Sequence, residues 1–137
     1  MSTSMITRMK GAALLDVPTY EEVEHDRSAT GQAAMVVLIA AVAEAVGGMG
    51  SGAGLIGGGV AALVRWATWS GVTWFIGTKV FNGTADWGEL LRTIGFAQAP
   101  AVLLAVGILP FVGVLVIPVV GIWLLVTALV GIRQALD

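Results

Sequence analysis

The chain has 137 residues, 57% hydrophobic and 12% charged, with a net charge of −2 and no cysteine. Soluble domains carry roughly a quarter of their residues as charge, and half that share cannot coat a water-facing surface, so a soluble globular class is excluded. The acidic balance excludes a nucleic-acid partner, which requires a basic surface. The lack of cysteine excludes disulfides, thiolate metal sites and a Cys nucleophile.

In chain order, Met1 to Asp16 reads as a short amphipathic helix capped by Ser4. Met5, Ile6, Met9, Ala12 and Ala13 share one face, with Arg8 and Lys10 elsewhere on the wheel. Such a helix can lie in the headgroup plane beside anionic lipid, or pack on the protein's own cytoplasmic side. The apolar run Ala12 to Leu15 is too short for the core of a signal peptide, so the N-terminus is expected to be retained. Next, Pro18-Thr19-Tyr20-Glu21-Glu22 opens a helix, with Thr19 and Glu22 as a reciprocal capping box. Glu24, His25, Asp26 and Arg27 read as solvated. Carboxylates near His25 favour its protonated form, and a Glu21–His25 metal pair is the minor reading.

Four apolar spans follow, each long enough for the ~20 residues that a bilayer crossing requires. They are Gly31 to Met49, Ala53 to Phe81, Leu90 to Leu109 and Val114 to Ile132. Asn82 to Gly88 is a polar loop, and Asp86-Trp87-Gly88-Glu89 is a second capping box that opens the third span. Trp87 and Arg92 read as interfacial anchors. Pro100, Pro110 and Pro118 interrupt the last two spans, and each frees a carbonyl that needs a new donor in lipid; Gln98 is the expected donor near Pro100. Arg8, Lys10, Arg27, Lys79, Arg92 and Arg133 all fall on one side of a four-span chain, which places both termini in the cytoplasm.

Arg65 breaks that pattern. If the second span starts near Ala53, Arg65 lies about 18 Å along it, near mid-bilayer, where pairing with Glu44 offsets both penalties. If the span starts at Trp66, then Arg65, Trp66 and Trp69 form an interfacial anchor.

Gly52 to Gly57 matches G-x-G-x-x-G, but it follows an apolar helix rather than a strand, and no acidic residue follows it before Asp86. Gly48, Gly50, Gly52, Gly54 and Gly58 give overlapping G-x-x-x-G spacings instead, which point to close helix packing with a neighbouring span or another subunit. Asn82-Gly83-Thr84 is a chance sequon on the cytoplasmic side. Ser51 and Ser70 have no histidine on their side of the membrane to activate them.

The stretch from Leu90 to Ala135 resembles the YIP family of Ypt/Rab-interacting membrane proteins in their short bacterial form. It does so through Leu91 to Pro100, Ile108-Leu109-Pro110, Ile122-Trp123 and Gly131 to Ala135. Gly95, Phe96 and Pro100 are similar to the family's Gly-aromatic-x-x-x-Pro motif, and Pro18 to Glu22 fits bacterial members more loosely. The Asp-Leu-Tyr-Gly-Pro motif of eukaryotic members is absent, so small-GTPase binding is not implied. Members usually have five spans, one more than is counted here. The resemblance implies a non-enzymatic membrane protein without cofactor or metal, and the Ala- and Gly-rich composition points to a bacterial cytoplasmic membrane.

The sequence thus predicts an all-α polytopic membrane protein. Residues 1–30 form an interfacial segment with the amphipathic helix, and residues 31–137 form one four-span transmembrane domain. Its expected partners are membrane lipids and other integral membrane proteins, and its leading role is that of a scaffold or accessory subunit. A small transporter using Glu44 and Arg65 and a lipid-organising protein are the alternatives.

Overall fold

The computed structural model describes residues 4–48, 52–109 and 111–136, and among them it is all-helical. Gly50 and Pro110, with Met49 and Ser51, lie outside the described residues. The elements are α1 (Met5–Ala13), α2 (Val17–His25), α3 (Ala29–Val46), α4 (Gly54–Phe75), α5 (Trp87–Ala97) and α6 (Val112–Leu136). A π-turn (Ile76–Val80) extends α4, and a 3-10 segment (Ala99–Ile108) extends α5.

By length and composition, Ala29–Val46, Trp87–Ile108 and Val112–Leu136 are apolar enough to cross a membrane. The α4 helix has 22 residues, but Arg65 and three glycines in a row, Gly57 to Gly59, dilute its apolar character. It runs unbroken from Gly54, so the glycine run 54–59 is helical and not a surface loop. Pro118 sits inside α6 without ending it, contrary to the expected break.

Small residues set the packing. Gly95 sits against Ala33 of α3 near one end of the bundle, and Gly107 sits against Gly47 near the other. The rod formed by α5 and the 3-10 segment therefore runs parallel to α3. Gly131 faces Thr93 and Gly113 faces Gly107, so α6 runs back against that rod. The main core gathers Val36, Val37, Trp66, Leu90, Ile94 and Phe96, with Tyr20 and Val23 of α2. A second, smaller core joins Ala40, Ala101, Leu104 and Val120.

The rod changes pitch after Gln98 for a chemical reason. Pro100 has no N–H to donate, and the Ala101 amide donates to the Gln98 carbonyl at 2.9 Å. The Ala97 carbonyl is thereby left without its usual α-helical donor. Thr127 of α6 supplies one: its hydroxyl lies 2.7 Å from that carbonyl and is fully buried. The donor is a threonine on the neighbouring helix, not Gln98 beside the proline.

Thr127→Val preserves shape but orphans the Ala97 carbonyl, so it should cost about 1–3 kcal/mol. Thr127→Ser should cost much less. Thermal unfolding in detergent reads this directly, and an unchanged melting temperature in Thr127→Val would refute the bridging role.

Candidate functional site

Two charged side chains meet between α3 and α4. Arg65 Nη2 lies 3.8 Å from Glu44 Oε2, with the arginine side chain 65% exposed and the glutamate 26%. The pair borders a cleft of about 710 Å³ whose wall includes Gly48, Gly52, Gly54 and Gly58. A loose, half-solvated ion pair stabilises little, so this arrangement leaves both groups available to a third charge.

Within the chain, three glycines of that wall do not pack closely, whereas a Cβ at Gly59, also on the wall, would lie 3.3 Å from Leu38 of α3. A Cβ added at Gly48, Gly52 or Gly54 would meet nothing within 4 Å, and their φ values are +84°, +77° and +77°. Left-handed backbone requires glycine at these positions, and no contact within the described chain uses them. The close-packed glycines are others: Gly11 against Thr19, Gly47 against Leu104, Gly95 against Ala33 and Gly131 against Tyr20.

The Gly95, Phe96 and Pro100 set proves to be architectural. Gly95 lets α5 approach α3, Phe96 is fully buried, and Pro100 opens the 3-10 segment.

Two arginines expected at the surface are buried. Arg8, 2% exposed, bonds Glu22 and Asp26 at 2.7 Å and the Gln32 amide oxygen at 2.8 Å. It therefore turns inward, away from lipid. Arg92 is buried as well. Its Nε donates to the Val23 carbonyl at 2.8 Å, its Nη2 donates to the Glu24 carbonyl, and its Nη1 lies 3.4 Å from Thr30 Oγ1. It thus caps the last turn of α2, where the helix dipole favours a cation.

Local capping differs from expectation in the same region. Asp16, not Thr19, caps α2, its carboxylate accepting from the Thr19 amide at 3.2 Å, while Glu22 is engaged by Arg8. The Asp86–Glu89 capping box forms as expected. Glu24 is buried rather than solvated, and burial pushes its carboxyl up. His25 is exposed, and its Nδ1 lies 2.8 Å from the Glu21 carbonyl. That hydrogen bond, followed by the charge of Glu24, raises its pKa. The apolar face of α1 is largely spent on the fold: Ala12 is fully buried, and Met5, Met9 and Ala13 pack on the main core.

Comparison with known proteins gives one result. A family model described as Yip1 domain matches residues 13–137. No curated protein and no solved structure matches the chain.

The Arg8 clamp makes a pH-dependent prediction. The Ser28 hydroxyl, then Arg8, hold the Asp26 carboxyl down from 3.8 to about 2. Because the folded-state value is depressed, the stabilisation is full above about pH 4 and is lost as the pH falls toward 2. The melting-temperature difference between the wild type and Asp26→Asn should be constant from neutrality to pH 5 and shrink below pH 4. In Arg8→Met, Glu22 and Asp26 lose their cation and α1 should loosen by about 1–3 kcal/mol. Trypsin should then cut faster at Lys10, and an unchanged cleavage rate would show that the clamp does not hold α1.

Proposed function

The chain belongs to the Yip1 domain family, and from that footing we propose that it is a non-enzymatic integral membrane protein acting as a scaffold or accessory subunit of a larger membrane assembly. The observation that carries this reading is the α3–α4 cleft: open glycine backbone at Gly48, Gly52 and Gly54, which the chain itself leaves unfilled. In lipid, small residues of this kind are where a second helix gains contact, because no hydrophobic drive distinguishes helix from acyl chain. Much of the side-chain surface on α4, including Leu55, Ile56, Val60 and Val64, is exposed and apolar beside it.

The reading includes four crossings with both termini cytoplasmic, in a bacterial cytoplasmic membrane. Connectivity supports the fourth crossing. The α4 helix starts at the Gly47 end of the bundle, and its π-turn finishes beside Leu136, against which Gly77 and Gly83 pack. It must therefore travel the bundle's height. Lys79 and Arg133 are then exposed at the same end as the start of α3, with Arg27.

A second reading follows from the loose Glu44–Arg65 pair on the wall of the same cleft. There the protein would pass a small ion or charged solute, with the pair as its relay. A membrane-shaping role through the Met5–Ala13 face has less support, because Ile6 is that face's one large side chain left strongly exposed.

Purification of the full chain in mild detergent, followed by native mass spectrometry, tests the scaffold. A stoichiometric larger assembly should appear, and Gly58→Leu should abolish it while leaving the melting temperature within about 3 °C. A lone monomer would overturn it. Liposome flux that is lost in Glu44→Gln would favour transport instead, and no flux in the wild type would end that reading.

A further inference from the structure

We infer that the groove between α1 and the kinked rod binds one anionic phospholipid, with an acyl chain in the groove and its phosphate at Lys10. This goes beyond the assembly role and requires only that the chain sits in a membrane. The groove has a volume of about 560 Å³, within the range of ligand sites. On one side, α1 presents Ile6, Lys10 and Leu14, spaced four residues apart and hence on one stripe. Opposite stand Pro100 and Leu103 of the 3-10 segment and Val119 and Trp123 of α6.

Three features fit a lipid of negative charge. Lys10 is the groove's one charged lining residue among the described residues, and no carboxylate lines it. Lys10 is exposed and makes no hydrogen bond or ion pair among the described residues, whereas its neighbour Arg8 is fully committed to Glu22 and Asp26. A basic group beside a crevice between apolar helices is the arrangement that captures anionic headgroups. The groove is also preformed. Arg8 fixes α1 from behind, and the Trp123 indole N–H donates to the Ala13 carbonyl at 2.6 Å. From Ala99 and Trp123 its wall rises to Leu103 and Val119, both more than half exposed, which offers carbon to a chain and nothing to a polar ligand.

The test uses the full chain in detergent and in nanodiscs, with phosphatidylglycerol, phosphatidylcholine and inorganic phosphate as probes. Native mass spectrometry should retain one phosphatidylglycerol per chain in preference to phosphatidylcholine. Lys10→Gln should reduce that preference about fivefold, while Lys10→Arg and the exposed-cation control Lys79→Gln keep it. Val119→Trp, at a position already exposed, should fill the groove and lose the lipid without lowering the lipid-free melting temperature. Equal retention of both lipids, or lipid retained in Val119→Trp, overturns the site. So does stabilisation by inorganic phosphate equal to that by phosphatidylglycerol, which would mean that no chain is seated. A dimer that forms without lipid and is blocked by Val119→Trp would assign the groove to a second copy and also overturn it. Loss of the larger assembly in Gly58→Leu with lipid binding intact would separate this site from the scaffold surface.

Discussion

The hydrogen bonds from Arg92 to the end of α2 tie the N-terminal helices to the bundle at a point where each side has an unmet polar need. Arg92 belongs to α5, inside the apolar bundle, and its acceptors are the Val23 and Glu24 carbonyls. Burying a guanidinium is costly unless its donors are met, and here the acceptors are carbonyls that a helix end leaves unsatisfied. The two deficits offset each other. With α2 fixed to α5, Arg8 can in turn fix α1 to α2 through Glu22 and Asp26. The N-terminal helices are thus packed on the bundle as one of its layers.

What could be read along the chain divides by the range of the interaction. The apolar helices were legible to within a few residues, because length and apolarity are local properties. The Asp86–Glu89 box was legible for the same reason: both partners lie within one turn. The Thr19–Glu22 box failed although its spacing was right, because Glu22 has a stronger suitor in Arg8, 14 residues away. The Thr127 bridge to Ala97 spans 30 residues and leaves no trace in local pattern. Arg92 resembled an interfacial anchor because an arginine near a helix start looks the same whether it meets water or a carbonyl.

The glycines show how one sequence signature serves two physical ends. Spacings of four residues at Gly48 to Gly58 match close helix packing, yet Gly48, Gly52 and Gly54 adopt positive φ and touch no neighbour. Gly95 and Gly131 belong to no such repeat, yet they sit where backbones nearly meet. A Cβ is forbidden by contact in one case and by dihedral angle in the other, and spacing alone does not separate them. The signal that would have helped is position relative to the helix ends: Gly48 and Gly52 lie in the connection between α3 and α4, where turns are made.

The modest apolarity of α4 becomes intelligible once its hydrogen bonds are traced. Apolar surface does little to hold a helix to its neighbour inside a membrane, so an edge helix needs polar pegs or very close backbone. Three indoles supply the pegs. Trp66 of α4 donates to the Leu91 carbonyl at 2.9 Å, Trp87 of α5 donates back to the Ala67 carbonyl at 3.2 Å, and Trp74 donates to the Ala85 carbonyl at 3.1 Å. A carbonyl within a helix keeps a second lone pair for such a donor, so the helical ladder need not break. Trp66 and Trp87 therefore fasten α4 to α5 from both sides, and Trp74 ties α4 to the loop that leads into α5. With that edge secured by directed bonds, its opposite face is free to carry Arg65 and to border an open cleft.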